Sequence, residues 1–81
     1  MYFVYLLRCS DDTLYCGYST DLEKRLQKHN NGEGAKYTRS RLPVTLVYFE
    51  EYFDKSEALK RECAVKQLTR QQKLDLIASS R

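Results

Sequence analysis

The sequence contains few cysteines, and their spacing excludes two kinds of scaffold. Only Cys9, Cys16 and Cys63 occur among 81 residues, and no two of them form a Cys-x-x-Cys pair. An odd number of thiols without that spacing disfavours a disulfide framework or a structural zinc site. Reduced thiols are typical of the cytosol, so we expect a cytoplasmic protein.

The chain also lacks a leader-like segment, internal repeats and low-complexity stretches. Within residues 1–20 the apolar residues alternate with polar and turn residues, so we expect neither export nor a membrane partner. Hydrophobic residues make up 42% and charged residues 31%, which is a globular composition. The length predicts one domain over residues 1–81. The net charge of +3 permits a polyanionic partner but does not require one.

Three segments have the composition of β-strands. Residues 2–9 and 13–19 are rich in aromatic and aliphatic residues, and Ser10-Asp11-Asp12 between them predicts a hairpin turn. Residues 44–53 predict a third strand, because they are rich in Val, Tyr and Phe. Residues 32–42 have no clear period and are followed by Pro43, which predicts a loop.

Three capping patterns predict the helices. A capping residue at Thr20, Asp54 and Thr69 is followed three positions later by Glu or Gln. The helices are predicted to extend to about residues 30, 67 and 78, the first ended by a left-handed residue near Gly32. The order β-β-α-β-α-α predicts an α/β chain of the α+β type, with a small three-stranded antiparallel sheet packed against helices.

The first predicted helix carries two polar residues at the edge of its apolar stripe. Leu22 and Leu26 define that stripe, and Arg25 and His29 lie four positions apart beside it. Arg25 is either an arginine that extends along the core edge to a carboxylate, or a functional cation. His29 is either a satisfied histidine at the helix terminus, or a functional imidazole.

Glu62 interrupts an apolar arc on the second predicted helix. Glutamate is rarely buried unless it is paired or bound to a metal. We therefore expect either an ion pair, with Lys66 or Arg25, or a ligand for a divalent metal ion.

Tyr5 and Tyr15 lie on the same face of the sheet only if the hairpin loop between their strands has an odd number of residues. A three-residue loop would place Tyr15 opposite Leu7 and diagonal to Tyr5, whereas a two-residue loop would put the tyrosines on opposite faces. Gly17 in the second strand indicates a bulge or a close approach of another group, and next to Tyr15 it would leave room for a phosphate.

Taken together, these segments resemble the GIY-YIG nuclease superfamily. The likeness lies in FVY (3–5), YCG (15–17), DLEKRLQKH (21–29) and a later acidic residue, and it covers essentially the whole chain. The chain is most similar to the short, standalone, single-domain bacterial members. These are related to the nuclease domain of excinuclease C, a DNA-repair protein, and to homing endonucleases.

The resemblance implies a metal-dependent endonuclease that cuts DNA, or less expectedly RNA, with one Mg²⁺ or Mn²⁺ ion and a tyrosine-activated water. Glu62 would bind the metal. The other positions that match the family's motif are Tyr5, Tyr15, Gly17, Arg25 and His29. A free tyrosine has a pKa of about 10, so either tyrosine needs nearby cations, or a neutral His29 that accepts its proton, to act as a base.

The sequence departs from the family pattern at two places. Phe3 stands where the family's first glycine would be. For the asparagine that many members carry after the glutamate, either Gln67 is the substitute or no residue replaces it. We expect a single domain without a second one that supplies affinity for nucleic acid, so a partner protein would help recruitment. The segment 32–42 is either a nucleic-acid contact or a solvated basic loop, and its candidate residues are Lys36, Tyr37, Arg39 and Arg41. The alternative to an enzyme is a module of the same fold that binds nucleic acid or protein without turnover.

Overall fold

A three-stranded antiparallel sheet forms the centre of the structure, a computed structural model that describes residues 1–80. The strands are β1 (Tyr2–Arg8), β2 (Leu14–Ser19) and β3 (Thr45–Tyr52), in the spatial order β2-β1-β3. β1 is therefore the central strand. Its residues 4–7 are all buried, because both sides of the sheet are covered.

Four helices cover the two sheet faces, and they confirm the predicted α+β class. One helix lies within the segment that we predicted as a loop. The helices are α1 (Leu22–Asn30), α2 (Lys36–Arg39), α3 (Lys55–Lys66) and α4 (Arg70–Ser79). Within residues 1–80 no helix is long and apolar enough to cross a membrane.

Each face of β1 contributes to a separate apolar cluster. On one face, Tyr5 and Leu7 are buried with Val44, packed against the α1 residues Leu22 and Leu26. On the other face, the buried cluster includes residues of β1, β2, α3 and α4, namely Val4, Leu6, Cys16, Ala58, Val65 and Ile77. The α1 face is the one that holds the candidate site, so it is described in detail below.

The hairpin between β1 and β2 has the odd loop that places both tyrosines on one face. Leu7 pairs with Tyr15, and Tyr5 pairs with Gly17. The amide of Cys9 donates to the carbonyl of Thr13 at 2.9 Å, which leaves three residues in the loop. The register that we expected for a three-residue loop is thus confirmed.

The observed caps differ from the predicted ones at α1. Asp21, not Thr20, is the N-cap, because its carboxylate accepts a hydrogen bond from the amide of Lys24 at 3.1 Å. Asp54 caps α3 as predicted, and Thr69 begins α4 with a complete capping box. Gly32 has φ +78°, which confirms the left-handed residue expected after α1.

Helix α2 corrects the predicted loop at residues 32–42. Its four residues show no apolar period, yet Thr38 within it is fully buried. The Thr38 hydroxyl lies 3.0 Å from the carbonyl of Ala35 and 2.8 Å from the His29 ring. Contacts with α1 therefore stabilise a turn of helix that local sequence does not indicate.

Candidate active site

A chain of hydrogen bonds joins the α1 face of the sheet to helices α1 and α2. The Tyr5 hydroxyl lies 2.9 Å from Nε2 of His29, and the Arg25 Nε donates to the same hydroxyl oxygen at 3.3 Å. The Nδ1 atom of His29 lies 2.8 Å from the Thr38 hydroxyl. Three residues singled out from the sequence are thus in direct contact, together with a threonine that was not.

Tyr15 extends this cluster toward the protein surface. Its ring centroid is 5.3 Å from that of His29, in an edge-to-face arrangement. Tyr15 is half-buried, whereas the Tyr5 side chain is only 2% exposed. The two tyrosines therefore lie on one face but differ in their access to solvent.

Two glycines allow the aromatic rings to pack this closely. A Cβ at Gly17 would lie 3.0 Å from Cε1 of Tyr5 and closer still to its hydroxyl, so a side chain there would overlap the ring. A Cβ at Gly34 would lie 2.7 Å from Cγ of His29. The space at Gly17 is thus filled by Tyr5 and is not free for a phosphate, which corrects our expectation. The β1–β2 pairing is continuous there, so Gly17 does not mark a bulge in it either.

Burial and Arg25 determine the electrostatics of the cluster. Burial raises the pKa of Tyr5 above its ordinary value, despite the nearby guanidinium. Burial and then the positive charge of Arg25 lower the pKa of His29 below 6.5. The hydrogen bond to Tyr5 raises the pKa of Arg25. At neutral pH the site therefore contains a protonated phenol, a neutral imidazole and one cation.

These contacts identify the partners of Arg25 and His29. Among the described ion pairs none contains Arg25, and its observed partner is the Tyr5 hydroxyl. His29 is fully buried and satisfied by the side chains of Tyr5 and Thr38. Both residues thus belong to one polar network, in which His29 is fully buried and Arg25 is half-buried.

Glu62 lies outside this network, on the helix that packs against β1 and β2 from the other face. Its Oε2 is 3.2 Å from Nζ of Lys66, one turn further along α3. Its backbone carbonyl lies 3.9 Å from the Sγ of Cys16, the neighbour of Tyr15 in β2. The ion pair that we considered with Lys66 is therefore observed, and the side chain keeps 19% of its surface exposed.

In the basic segment at residues 32–42, some candidate side chains contact other residues and others are exposed to solvent. Arg41 lies over the ring of Tyr37 at 4.0 Å and pairs with Asp11 at 3.0 Å. Tyr37 also stacks on Tyr15, with ring centroids 5.9 Å apart. The exposed residues Lys36 and Arg39 remain candidates for phosphate contact, whereas the Arg41 charge is already paired and the Tyr37 ring already contacts two side chains.

The comparison with known proteins now decides the family. The profile described as "GIY-YIG catalytic domain" matches residues 1–75. This chain belongs to the GIY-YIG family. A UPF0213 protein of Clostridium perfringens is 58% identical over 79 residues, covering 98% of this chain and 85% of its own. A UPF0213 protein of Staphylococcus epidermidis is 59% identical over 76 residues, covering 94% and 93%.

Two NMR solution structures have the same GIY-YIG chain topology over most of their length. The UPF0213 protein of Bacillus halodurans has 44% sequence identity and a TM-score of 0.62, and the match covers 96% of this chain and 84% of that one. A protein of E. faecalis has 44% identity and a TM-score of 0.65, covering 96% and 83%. The similarity supports the sheet and helix arrangement described above.

GIY-YIG nucleases generally use divalent metal ions, and the residues present fit such an ion where water completes its coordination. Within residues 1–80 no three His, Cys, Asp or Glu side chains form a cluster suited to a metal ion. Mg²⁺ commonly binds through one or two carboxylates and keeps several waters. Glu62, whose carboxylate is paired with Lys66 in this structure, is the acidic residue that would hold such an ion. The Gln67 amide donates to the Cys63 Sγ at 3.6 Å, along the same helix, so no observed contact joins it to Glu62.

Sequence reasoning missed several members of this GIY-YIG site. Thr38 and Gly34 are not signalled by any period, because their role depends on the His29 ring that packs against them. A depression of about 380 Å³ beside Tyr15 also has two lysines in its lining, Lys66 and Lys73. They come from different helices, and only the fold brings them to one place.

Proposed function

We propose that this GIY-YIG protein is an endonuclease that hydrolyses phosphodiester bonds in nucleic acid, with DNA the expected substrate. One observation carries the proposal: the Tyr5 hydroxyl lies between a neutral imidazole, which can take its proton, and a guanidinium, which can stabilise negative charge on its oxygen.

The arrangement solves the difficulty of using a tyrosine as a base. Only about one free tyrosine in a thousand is ionised at neutral pH, and burial makes ionisation of Tyr5 still less favourable. Tyr5 can instead pass its proton to Nε2 of His29 while it accepts one from the attacking water. A bond then forms between the water oxygen and phosphorus, and the bond to the leaving oxygen breaks. The leaving oxygen takes a proton from solvent, and His29 returns its proton through Tyr5 to solvent, so the site is restored. The tyrosine need not exist as a free phenolate.

The remaining residues bind and orient the substrate in this proposal. Arg25 and the half-buried Tyr15 would hold the scissile phosphate at the surface beside Tyr15, and the guanidinium would stabilise the additional charge of the transition state. Glu62 would bind the divalent ion, Mg²⁺ or Mn²⁺, after its contact with Lys66 opens, because Lys66 and Tyr15 line the same depression. When bound, that ion neutralises charge on the reacting phosphate.

The surface predicts weak and salt-sensitive binding of the nucleic acid. Lys36 and Arg39 project from α2, and Lys66 and Lys73 line the depression beside Tyr15. A small number of phosphate contacts releases few counterions, so affinity should be low at physiological salt. Recruitment by a partner protein would then raise the local concentration of substrate.

A cleavage screen tests the proposal directly. Single-stranded, duplex, nicked and branched DNA, and the matching RNAs, are incubated with Mg²⁺ or Mn²⁺. We expect cleavage by the wild type that Glu62→Gln and Tyr15→Phe abolish, while binding persists. Glu57→Gln on the exposed first turn of α3, and Tyr18→Phe on the opposite face of β2, are the matched controls and should cleave normally.

The second candidate is a module that binds nucleic acid or protein without turnover. The contact between Glu62 and Lys66 favours it, because a carboxylate neutralised by a lysine is not a free metal ligand. The same cleavage screen distinguishes the endonuclease from the binding module. Binding without cleavage of any substrate, with either metal, would support the module and refute the endonuclease.

A further inference from the structure

The buried threonine of α2 has a single proton and two polar neighbours. The Thr38 hydroxyl lies 3.0 Å from the Ala35 carbonyl and 2.8 Å from Nδ1 of His29. A carbonyl oxygen can only accept, whereas a neutral imidazole has one donor nitrogen and one acceptor nitrogen. The direction of every hydrogen bond in the cluster therefore depends on which His29 nitrogen carries the proton.

One assignment gives each donor an acceptor. Thr38 donates to Ala35, Nδ1–H of His29 donates to Thr38, and the Tyr5 hydroxyl donates to Nε2 of His29. Arg25 then donates to the Tyr5 oxygen, which is free to accept. The chain runs in one direction from Arg25 to Ala35, and no buried polar side-chain atom among the described residues lacks a partner.

The opposite tautomer of His29 leaves one buried donor without an acceptor. If Nε2 of His29 carried the proton, both His29 and Arg25 would donate to the Tyr5 oxygen. The Tyr5 proton would then have no described acceptor inside the core, although the side chain is almost entirely buried. A buried donor without an acceptor is costly, so the first assignment is strongly favoured.

We propose that Thr38 is a positioning residue that holds His29 in the Nδ1–H tautomer, so that Nε2 faces Tyr5 as a proton acceptor. Thr38 reaches the imidazole because α2 turns it inward, while its neighbours in that helix stay exposed. The effect on cleavage rests on the proposed function, but the tautomer itself does not. The short helix thereby supplies a part of the site that contacts neither tyrosine hydroxyl directly.

The tautomer can be measured without any cleavage assay, because His29 is the only histidine of the chain. Long-range ¹H–¹⁵N correlation of the ring at about pH 8, where a histidine is neutral, distinguishes the protonated nitrogen from the bare one. We expect Nδ1 to be protonated and Nε2 to be bare in the wild type. A protonated Nε2 in the wild type would overturn the proposal with no variant needed.

Substitution of Thr38 then tests the cause. Thr38→Ser keeps the hydroxyl and should keep the wild-type tautomer, whereas Thr38→Val removes the acceptor and should move the proton toward Nε2. The amide spectra of both variants report whether the fold is intact. If Thr38→Val does not fold, Thr38→Ala removes the same hydroxyl with a smaller side chain. A folded variant that lacks the hydroxyl and keeps the wild-type tautomer would overturn the role of Thr38.

Where cleavage is observed, kcat provides the second readout. We expect Thr38→Val to lower kcat by about 10²-fold, in the range of a general base, and Thr38→Ser to remain close to the wild type, with KM unchanged in both. Normal kcat in Thr38→Val would refute positioning. If the wild type cleaves nothing, the endonuclease proposal fails, and the NMR outcome still decides whether Thr38 holds the tautomer.

Discussion

The pH dependence of folding should report on one buried side chain, His29. It is the only histidine and is fully buried beside Arg25, and its pKa in the folded state lies below the ordinary 6.5. As the pH falls below about 6.5, the unfolded chain binds a proton that the folded protein does not. The free energy of unfolding should therefore decrease with falling pH until the folded-state pKa is reached.

The size of this effect has an upper bound. One proton corresponds to a slope of at most about 1.4 kcal/mol per pH unit. The carboxyl groups whose pKa values are shifted, Asp11 and Glu50, both have lowered values, so their linkage lies below about pH 4.5. Of these three groups with a shifted pKa, His29 is the one whose linkage falls between about pH 5 and 6.5.

Urea unfolding followed by far-UV circular dichroism at several pH values measures the slope. We expect the wild type to lose stability steadily below about pH 6.5, and His29→Gln to show a flat profile over the same window. A wild type whose stability does not change there would refute the reasoning, as would a slope that survives in His29→Gln. NMR titration of the ring gives the folded-state pKa independently, even if the variant does not fold.

Four further substitutions test individual contacts and one backbone conformation. Gly34→Ala places a Cβ 2.7 Å from an imidazole carbon and should cost about 1–3 kcal/mol in urea unfolding while it shifts the imidazole resonances. Gly32→Ala, which meets no atom within 4 Å but has φ +78°, should cost about 1–2 kcal/mol and leave those resonances unchanged. Arg41→Ala removes a cation–π contact of about 0.5–1 kcal/mol, and it should leave the salt dependence of nucleic-acid binding unchanged, because that charge is already paired. Glu50→Gln should lower stability at pH 7, measured by thermal unfolding, by about 1.5–3 kcal/mol, because the bidentate ion pair to Arg61 is lost; an unchanged midpoint would contradict this. The stabilisation from Glu50 is present above about pH 4.5 and lost below it, because hydrogen bonds from Arg61 and two tyrosines outweigh burial and lower the carboxyl pKa.

The β1–β2 hairpin shows how much of the structure local sequence can predict. The alternation of apolar and aromatic residues predicts two paired strands, and parity then restricts Tyr5 and Tyr15 to two arrangements. The three-residue loop, observed from the Leu7–Tyr15 pairing, selects the arrangement with both rings on one face. The spacing of α1 likewise predicted that Arg25 and His29 would point toward the sheet, because a helix has a fixed period.

Helix α2 and the ion pair of Glu62 are features that local sequence does not predict. Thr38 and Gly34 become meaningful only when the His29 ring packs against them, and no period in their own segment signals this. From the sequence, Glu62 could form an ion pair with Lys66 or with Arg25, or bind a metal ion. The geometry of α3 places Lys66 against its carboxylate and leaves Arg25 on the other side of the sheet, bound to Tyr5.

The sequence by itself determined the strands, three of the helices, the family resemblance and the set of side chains able to do chemistry. These follow from neighbours along the chain: alternation, helical spacing, capping residues and motif order. Only the tertiary structure decided that Tyr5 meets His29 across 24 positions, that Thr38 completes the hydrogen-bond chain and that Gly17 makes room for a ring. The physical reason is that hydrogen bonds and close packing act over a few ångströms in space, and residues distant in sequence reach that range only after the sheet and helices have packed.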